Sequence, residues 1–452
     1  MLGNRSFRKI VRWLQKQFRM IFDFANQDFL AFATAGILFL LPWQTRLIFG
    51  AHLLGGQVVP SAIYSVHVVE VLAIAVAVFA WVYNRPKIYD TLTELRLPGL
   101  TLLVVLFVSA IISPWSDIAF QHLFHLGVAS CVFVLVSMQP RHAKLFILIF
   151  CGGLIIPTLL GIFQVIAGSF PGSALFGIAP RAAEQLGDSV MWWRGARVLR
   201  AYGSFSHPNI FGGYLSVAIL LLLGCWSWWV EKWHRGVRVM LGILGTGLIL
   251  TYSQAALFGV VVGLCLGWMV QNQTFVMWWR KWGSIMTVLS IGVIMVAFIV
   301  TAFVLKDVAS ASISERVLQW QAYPLVMNWQ VPWRWIVGVG AGTYPFAWHI
   351  VQGGLDWWLY QPIHNIIALA LAEVGVIGFA TIMYIFYKID QKNYAALPGV
   401  VARAAFMAGA SLCVVALFDH YLWSFWSGLV LVGFVLGLTW RSGSDQQHGR
   451  LL

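Results

Sequence analysis

The chain runs to 452 residues, of which 60% are hydrophobic and only 10% charged, with a mean hydropathy of +0.80 and a formal net charge of +13. Soluble domains are roughly half apolar and a quarter charged, so this composition excludes a water-soluble enzyme or binding module and indicates an all-α integral membrane protein. A hydrocarbon layer about 30 Å thick takes about 20 apolar residues per helical span.

Residues 1–28 form a basic amphipathic segment. Phe7, Ile10, Val11, Trp13, Leu14 and Phe18 gather on one helical face, with Arg5, Arg8, Lys9, Arg12, Lys16 and Arg19 around them. The pattern suits a cytoplasmic helix lying on anionic lipid, and no small-residue cleavage pattern follows the first apolar run. A polytopic membrane domain is predicted over 29–440, with about twelve apolar runs near 29–48, 62–83, 98–115, 118–137, 143–167, 208–230, 236–252, 254–271, 282–304, 364–387, 400–418 and 420–440. These runs are continuously apolar and lack the alternation of an outer-membrane barrel, so helices are expected. Most connections are short. Residues 168–207 and 305–363 are the two long loops, and 441–452 is a short tail.

Lysine and arginine set the orientation, because they concentrate in cytoplasmic segments. With the N-terminus inside, 21 of the 29 basic residues fall on inner segments. Both termini are therefore expected in the cytoplasm and both long loops outside. The positive charge then reflects topology and attraction to membrane lipids, which makes nucleic acid a poor partner. Cys131, Cys151, Cys225, Cys265 and Cys413 all lie in apolar runs, supporting neither a disulfide framework nor a metal cluster. The 24 tryptophans gather near run ends, as interfacial anchors do.

The outer loops go against the charge rule. Arg181, Arg194, Arg197 and Arg200 stand in the first, opposed there only by Glu184 and Asp188. Guanidinium forks bind phosphate oxygens bidentately and keep their charge, so the cluster suits a diphosphate; a solvated or headgroup-facing loop is the plainer reading. Ser206-His207-Pro208-Asn209 follows, with proline fit for the first turn of a helix capped by His207 or Ser206. A helix start alone accounts for that stretch, yet it also aims backbone N–H groups at the outer interface, as anion sites do. Gly212 and Gly213 would let a helix or a lipid-linked chain approach closely.

The second loop holds Ser314-Glu315-Arg316, then VGVGAGTYPF from Val337, then QPIHNIIALALAEVGVIG from Gln361 to Gly378. His364 and Asn365 mark the mouth of the tenth run. Glu373 lies nine residues deeper, about 13 Å at 1.5 Å per residue, and is expected to be hydrogen-bonded inside the bundle. A lone histidine is commonly a cap or an interfacial group, but an imidazole kept neutral by nearby arginines suits a general base. His364 is the candidate.

Arg200 with GSFSHPNIFGGYL, Ser253 in TYSQAALFG, Arg316 with Trp320, the glycines Gly338, Gly340 and Gly342, and HNIIALALAEVGVIG together resemble the O-antigen ligase and O-antigen polymerase superfamily. The resemblance covers about half the chain, from Arg200 to Phe379, and rests on the order and one-sided placement of the motifs. It implies a multi-pass glycosyltransferase of the bacterial inner membrane, inverting and independent of metal or other cofactor. Such an enzyme moves a glycan from an undecaprenyl-diphosphate carrier to a sugar hydroxyl, on lipid A core or on a second lipid-linked glycan. By the same resemblance His364 is the base, and Arg200 and Arg316 hold the diphosphate. Arg194 and Arg197 are further diphosphate candidates, with His207, Asn209, Gln254 and Asn365 in support. One departure stands out: the family often has Ser-Arg-Gly where this chain has Ser253-Gln254-Ala255. Gln254 can donate hydrogen bonds but brings no charge, so either Arg194 or Arg197 compensates or the donor site is modified.

Other readings share parts of this pattern. A polymerase or a protein-directed oligosaccharyltransferase would use the same donor. A transporter would use Glu70, Glu373, His67, His122 and His125 as a relay, with His67 and Glu70 on one helical face, but no internal repeat or matched pair of broken helices accompanies them. An enzyme using a polyprenyl monophosphate would want a carboxylate in the first outer loop, and FGAHLLGGQVVPS has none, leaving Asp117 and Asp419 as its acids.

Overall fold

The computed structural model describes residues 28–279, 281–282, 311–328, 330–396 and 399–440. The basic segment up to residue 27, nearly all of the ninth apolar run and the tail 441–452 lie outside the described residues. The described chain is mostly helical. Its helices are α1 (Phe29–Leu40), α2 (Val68–Leu92), α3 (Arg96–Ile112), α4 (Ser116–Ser137), α5 (Ala143–Gly153), α6 (Ile155–Ala167), α7 (Pro208–Gly224), α8 (Glu231–Thr251), α9 (Gln254–Met269) and α10 (Gln273–Trp279). Beyond these come α11 (Ala311–Val326), α12 (Trp333–Val337), α13 (Tyr344–Val351), α14 (Ile366–Ala396), α15 (Val400–Phe418), α16 (Tyr421–Ser424) and α17 (Trp426–Thr439).

Five segments are long and apolar enough to cross a membrane: Val68–Ile112, Ser116–Ser137, Pro140–Ala167, Ile366–Lys392 and Val400–Phe418. The bent pair α9 and α10 makes a sixth if counted as one span. Phe29–Leu40, Pro208–Gly224 and Trp426–Thr439 are apolar but shorter. The predicted runs overshoot these helices where the chain breaks: the run 208–230 stops being α-helical at Gly224, and the run 420–440 splits into α16 and α17 at Phe425.

The first run departs most from expectation. Its helix ends at Leu40, just before Pro42, and from Arg46 the chain is a β-hairpin of β1 (Arg46–Leu54) and β2 (Gln57–His67). Gly55 and Gly56, at φ +59° and +80°, form the two-residue turn whose twist matches the paired strands. What reads as the end of a span and a plain loop is thus a sheet. The long loop 168–207 carries two smaller antiparallel pairs, β3 (Ser169–Phe170) with β4 (Arg181–Ala182) and β5 (Val190–Trp193) with β6 (Ala196–Leu199). The α-helical fold class is amended by these three hairpins.

At the centre, α7 is buried along nearly its whole length, against α8, α9 and α15. Its two glycines serve packing between protein elements. A Cβ at Gly212 would stand 2.8 Å from that of Ser253, and one at Gly213 would collide with the Tyr421 ring hydroxyl. Close approach here brings the start of α9 and the segment of α16 to the mouth of α7, not a lipid chain.

A second close approach fixes the glycine-rich loop after α12. Helix α14 is broken at Gly375, and the preceding Glu373 carboxylate accepts from the Gly342 N–H at 2.7 Å, the Tyr344 N–H at 3.2 Å and Trp423 Nε1 at 2.7 Å. The expected bundle-internal role of Glu373 takes this form. Gly338, at φ +81°, lies so close to the Glu373 carbonyl that a Cβ would overlap it. Gly338→Ala combines that clash with an unfavourable backbone conformation and is expected to lower stability by roughly 1–3 kcal/mol, read as a lower thermal midpoint in detergent.

Candidate active site

Three chain breaks meet at one end of the bundle: the start of α7, the start of α14, and the bend between α15 and α16. Asn365 holds the second and third together. Its Oδ1 accepts from the Ala368 N–H at 3.0 Å as a helix cap, and its Nδ2 donates to the Leu417 carbonyl at 3.2 Å. His364 is thereby set beside Asp419 and His420, with the His364 and His420 ring centroids 4.9 Å apart and edge to face.

A line of hydrogen bonds crosses from the first loop. Arg200 donates through Nε to the Thr251 carbonyl and through Nη2 to Asn209 Oδ1, both at 2.7 Å. Asn209 Nδ2 donates to Asp419 Oδ2 at 2.7 Å, and the other carboxylate oxygen accepts from the His420 N–H at 2.7 Å. Two of the five guanidinium N–H groups of Arg200 are committed in this way, which leaves three for a ligand. Helix α11 contributes Arg316 and Gln319, one turn apart on one face.

Hydrogen bonds also assign the tautomers. Gln319 Oε1 accepts from the His364 backbone N–H at 3.1 Å, so it is the amide oxygen, and His364 Nδ1, 2.9 Å from it, carries a hydrogen. The lone pair of His364 is then on Nε2. His207 caps α7 by accepting the Asn209 N–H on Nδ1 at 3.1 Å, and its Nε2 donates to Ser189 Oγ at 3.0 Å. Both are neutral imidazoles. Burial pushes the His364 pKa down, helped by His420 and Arg316 and opposed by Asp419. Burial likewise pushes His207 down, to about 4, with Asp419 opposing and Arg200, His420 and Arg181 assisting. Burial pushes the Asp419 carboxyl up, but the surrounding imidazoles and the Asn209 amide outweigh it and hold it below the usual range.

Of the residues singled out in the sequence, Arg200, His207, Asn209, His364 and Asn365 meet here, and Arg316 is close enough for its charge to act on His364. Arg197 instead donates to the Ala183 and Gln185 carbonyls, at 2.7 and 3.3 Å, and holds its own loop together. Arg194 is exposed at the tip of the β5–β6 turn, at φ +49°. Gln254 is exposed in the first turn of α9, three residues beyond the Thr251 that holds Arg200. Arg181, rather than Arg194 or Arg197, bears on His207; it pairs with Asp188 at 2.7 Å and lies over the Tyr202 ring at 4.5 Å.

His420 and Gln319 escaped the sequence reading, and Asp419 figured only as an acid for different chemistry. An acid and a histidine side by side at the end of a 19-residue apolar helix were the available signal. His364, Asp419 and His420 each offer one ligand atom within 4.8 Å of the others, a donor set that also suits a divalent cation.

No protein-family model and no curated protein matches this chain.

The buried neutral imidazoles make the site acid-sensitive. An unfolded histidine near 6.5 binds a proton that folded His207 refuses until about 4, so its contribution is present above 6.5 and is lost as pH falls towards 4. The thermal midpoint in detergent is expected to fall across that window. His207→Asn keeps a capping acceptor and should flatten the fall.

Proposed function

We propose that the protein is a membrane glycosyltransferase of the O-antigen ligase and polymerase type. In this reading it works at the outer face of the bacterial inner membrane, with both termini cytoplasmic and about twelve spans. It takes a glycan from undecaprenyl diphosphate and joins it to a sugar hydroxyl, with lipid A core the foremost acceptor. The supporting observation is the unbroken line from Arg200 through Asn209 to Asp419, ending beside a His364 whose Nε2 lone pair is available.

The chemistry follows from those groups. Three uncommitted N–H groups of Arg200, with the Arg316 guanidinium and the positive end of α7, stabilise the negative charge that grows on the departing diphosphate. As the bond from the anomeric carbon to that diphosphate breaks, the acceptor oxygen attacks from the opposite face and its proton passes to His364 Nε2. Asp419 steadies the imidazolium so formed. Gln254 adds at most a neutral donor beside Arg200. A polymerase reading differs only in the acceptor, a second lipid-linked glycan.

The closeness of His364, Asp419 and His420 favours one other reading, in which a divalent cation held by all three binds the diphosphate. Purified protein in nanodiscs, offered an undecaprenyl-diphosphate glycan together with lipid A core, tests both readings by product mass. Glycan on lipid A core identifies a ligase, growth of lipid-linked chains identifies a polymerase, and the absence of both products overturns the proposal. His364→Ala is expected to cut turnover roughly 10²–10⁴-fold with donor binding kept, whereas Arg200→Ala and Arg316→Ala weaken donor binding. Exhaustive chelation should leave the rate unchanged; loss on chelation, restored by a divalent ion, selects the metal reading.

A further inference from the structure

Behind the bend that carries Asp419 and His420 lies a second polar cluster, which the transfer chemistry leaves unused. Glu70 is fully buried. One of its oxygens accepts from the His67 N–H at 2.7 Å and lies 3.1 Å from His67 Nδ1, and the other binds His125 Nδ1. The Gln121 amide nitrogen donates to the Ser65 carbonyl at 2.7 Å and lies 2.8 Å from His125 Nε2, so that nitrogen accepts and the His125 proton sits on Nδ1, towards Glu70. The carboxylate is thus held between His67 and His125.

The cavity beside this cluster is a different environment. Its walls include Arg46, Gln121, His122, His125, Ser424 and Trp426, and Glu70 is not among them. The Arg46 guanidinium makes no hydrogen bond or ion pair among the described residues, although it lies within the field of Glu70. His122 is 5% exposed and its Nε2 has no partner among the described residues. An uncommitted guanidinium and an unpartnered buried imidazole on one cavity call for a ligand rich in acceptor oxygens. The cavity measures about 50 Å³. At roughly 10–15 Å³ per water, that admits a phosphate or carboxylate head but not a sugar ring.

Position relates the cavity to the reaction. Ser424 lines it and also binds His420 Nδ1 at 3.1 Å, and the His420 ring stands against His364. We propose that this cavity is an oxyanion subsite that seats an acidic group of the acceptor glycan and so presents the acceptor's hydroxyl to His364. The subsite rests on the glycosyl-transfer reading for its acceptor, and its oxyanion chemistry could equally be met by a lipid headgroup.

Equilibrium dialysis of radiolabelled inorganic phosphate against the full chain in zwitterionic nanodiscs tests the subsite without requiring turnover. Arg46→Gln is expected to bind one equivalent fewer than wild type, and Arg46→Lys to retain it more weakly; equal stoichiometry in wild type and Arg46→Gln overturns the subsite. Kinetics then test the occupant, using an acceptor with its phosphates intact and the same acceptor dephosphorylated. Wild type should favour the first at least tenfold in kcat/KM, and Arg46→Gln should erase that preference. Equal losses on both acceptors overturn the acceptor assignment. Displacement of the labelled phosphate by phosphatidylglycerol in the disc, with no acceptor preference, assigns the site to lipid and also overturns it. Phosphate binding that depends on Arg46 without any glycan transfer would sink the enzymatic reading while leaving the oxyanion site in place.

Discussion

A carboxylate buried in the apolar end of a helical bundle must be satisfied by its neighbours, and Asp419 is 5% exposed. Its two oxygens draw in the Asn209 amide and the N–H of its own successor. Asn209 in turn fixes Arg200, and Arg200 fixes the end of α8 through the Thr251 carbonyl. The break between the last two apolar runs follows from the same need, because a continuous helix from Val400 to Thr439 could not turn the Asp419–His420 pair towards α7 and α14. Neutral amides at Asn209, Gln319 and Asn365 place the charged and basic groups, and none of the three titrates.

The bend between α15 and α17 has more than one face. Asp419 and His420 look towards Arg200 and His364, Trp423 donates to Glu373, and Trp426 stacks on His67 at 4.1 Å while donating to Gln44 at 3.1 Å. The glycine loop Gly338–Gly342, the first hairpin and the α7 entrance are thus all registered against eight consecutive residues. Packing of this kind is cooperative, since moving any one partner disturbs the seat of the others.

Much of the architecture was legible because hydropathy alone governs where a helix can cross lipid, and the runs at 118–137 and 400–418 match their helices to within a few residues. The first hairpin was missed for a reason equally physical: its outer ends, at 46–48 and 62–67, run on from two apolar runs, and only the Gly55-Gly56 pair distinguishes a turn from a loop. The site was legible in its motifs but not in its wiring. His364 and Arg200 stand out by their chemistry, whereas the Asn209–Asp419 bond joins positions 210 apart in sequence. Four loop arginines look alike in one dimension. Local carbonyls at Ala183 and Gln185 capture Arg197, a turn exposes Arg194, and only tertiary contact separates them from Arg200.

The amide of Asn209 has a further effect on the chemistry around it. It joins a permanent cation to an acid, yet an amide neither takes up nor releases protons under ordinary conditions. The connection therefore transmits orientation and polarisation while acting as an insulator for protons. A proton taken up at His364 would stay on the side of Asp419 and His420, while the arginine side remains a fixed positive wall.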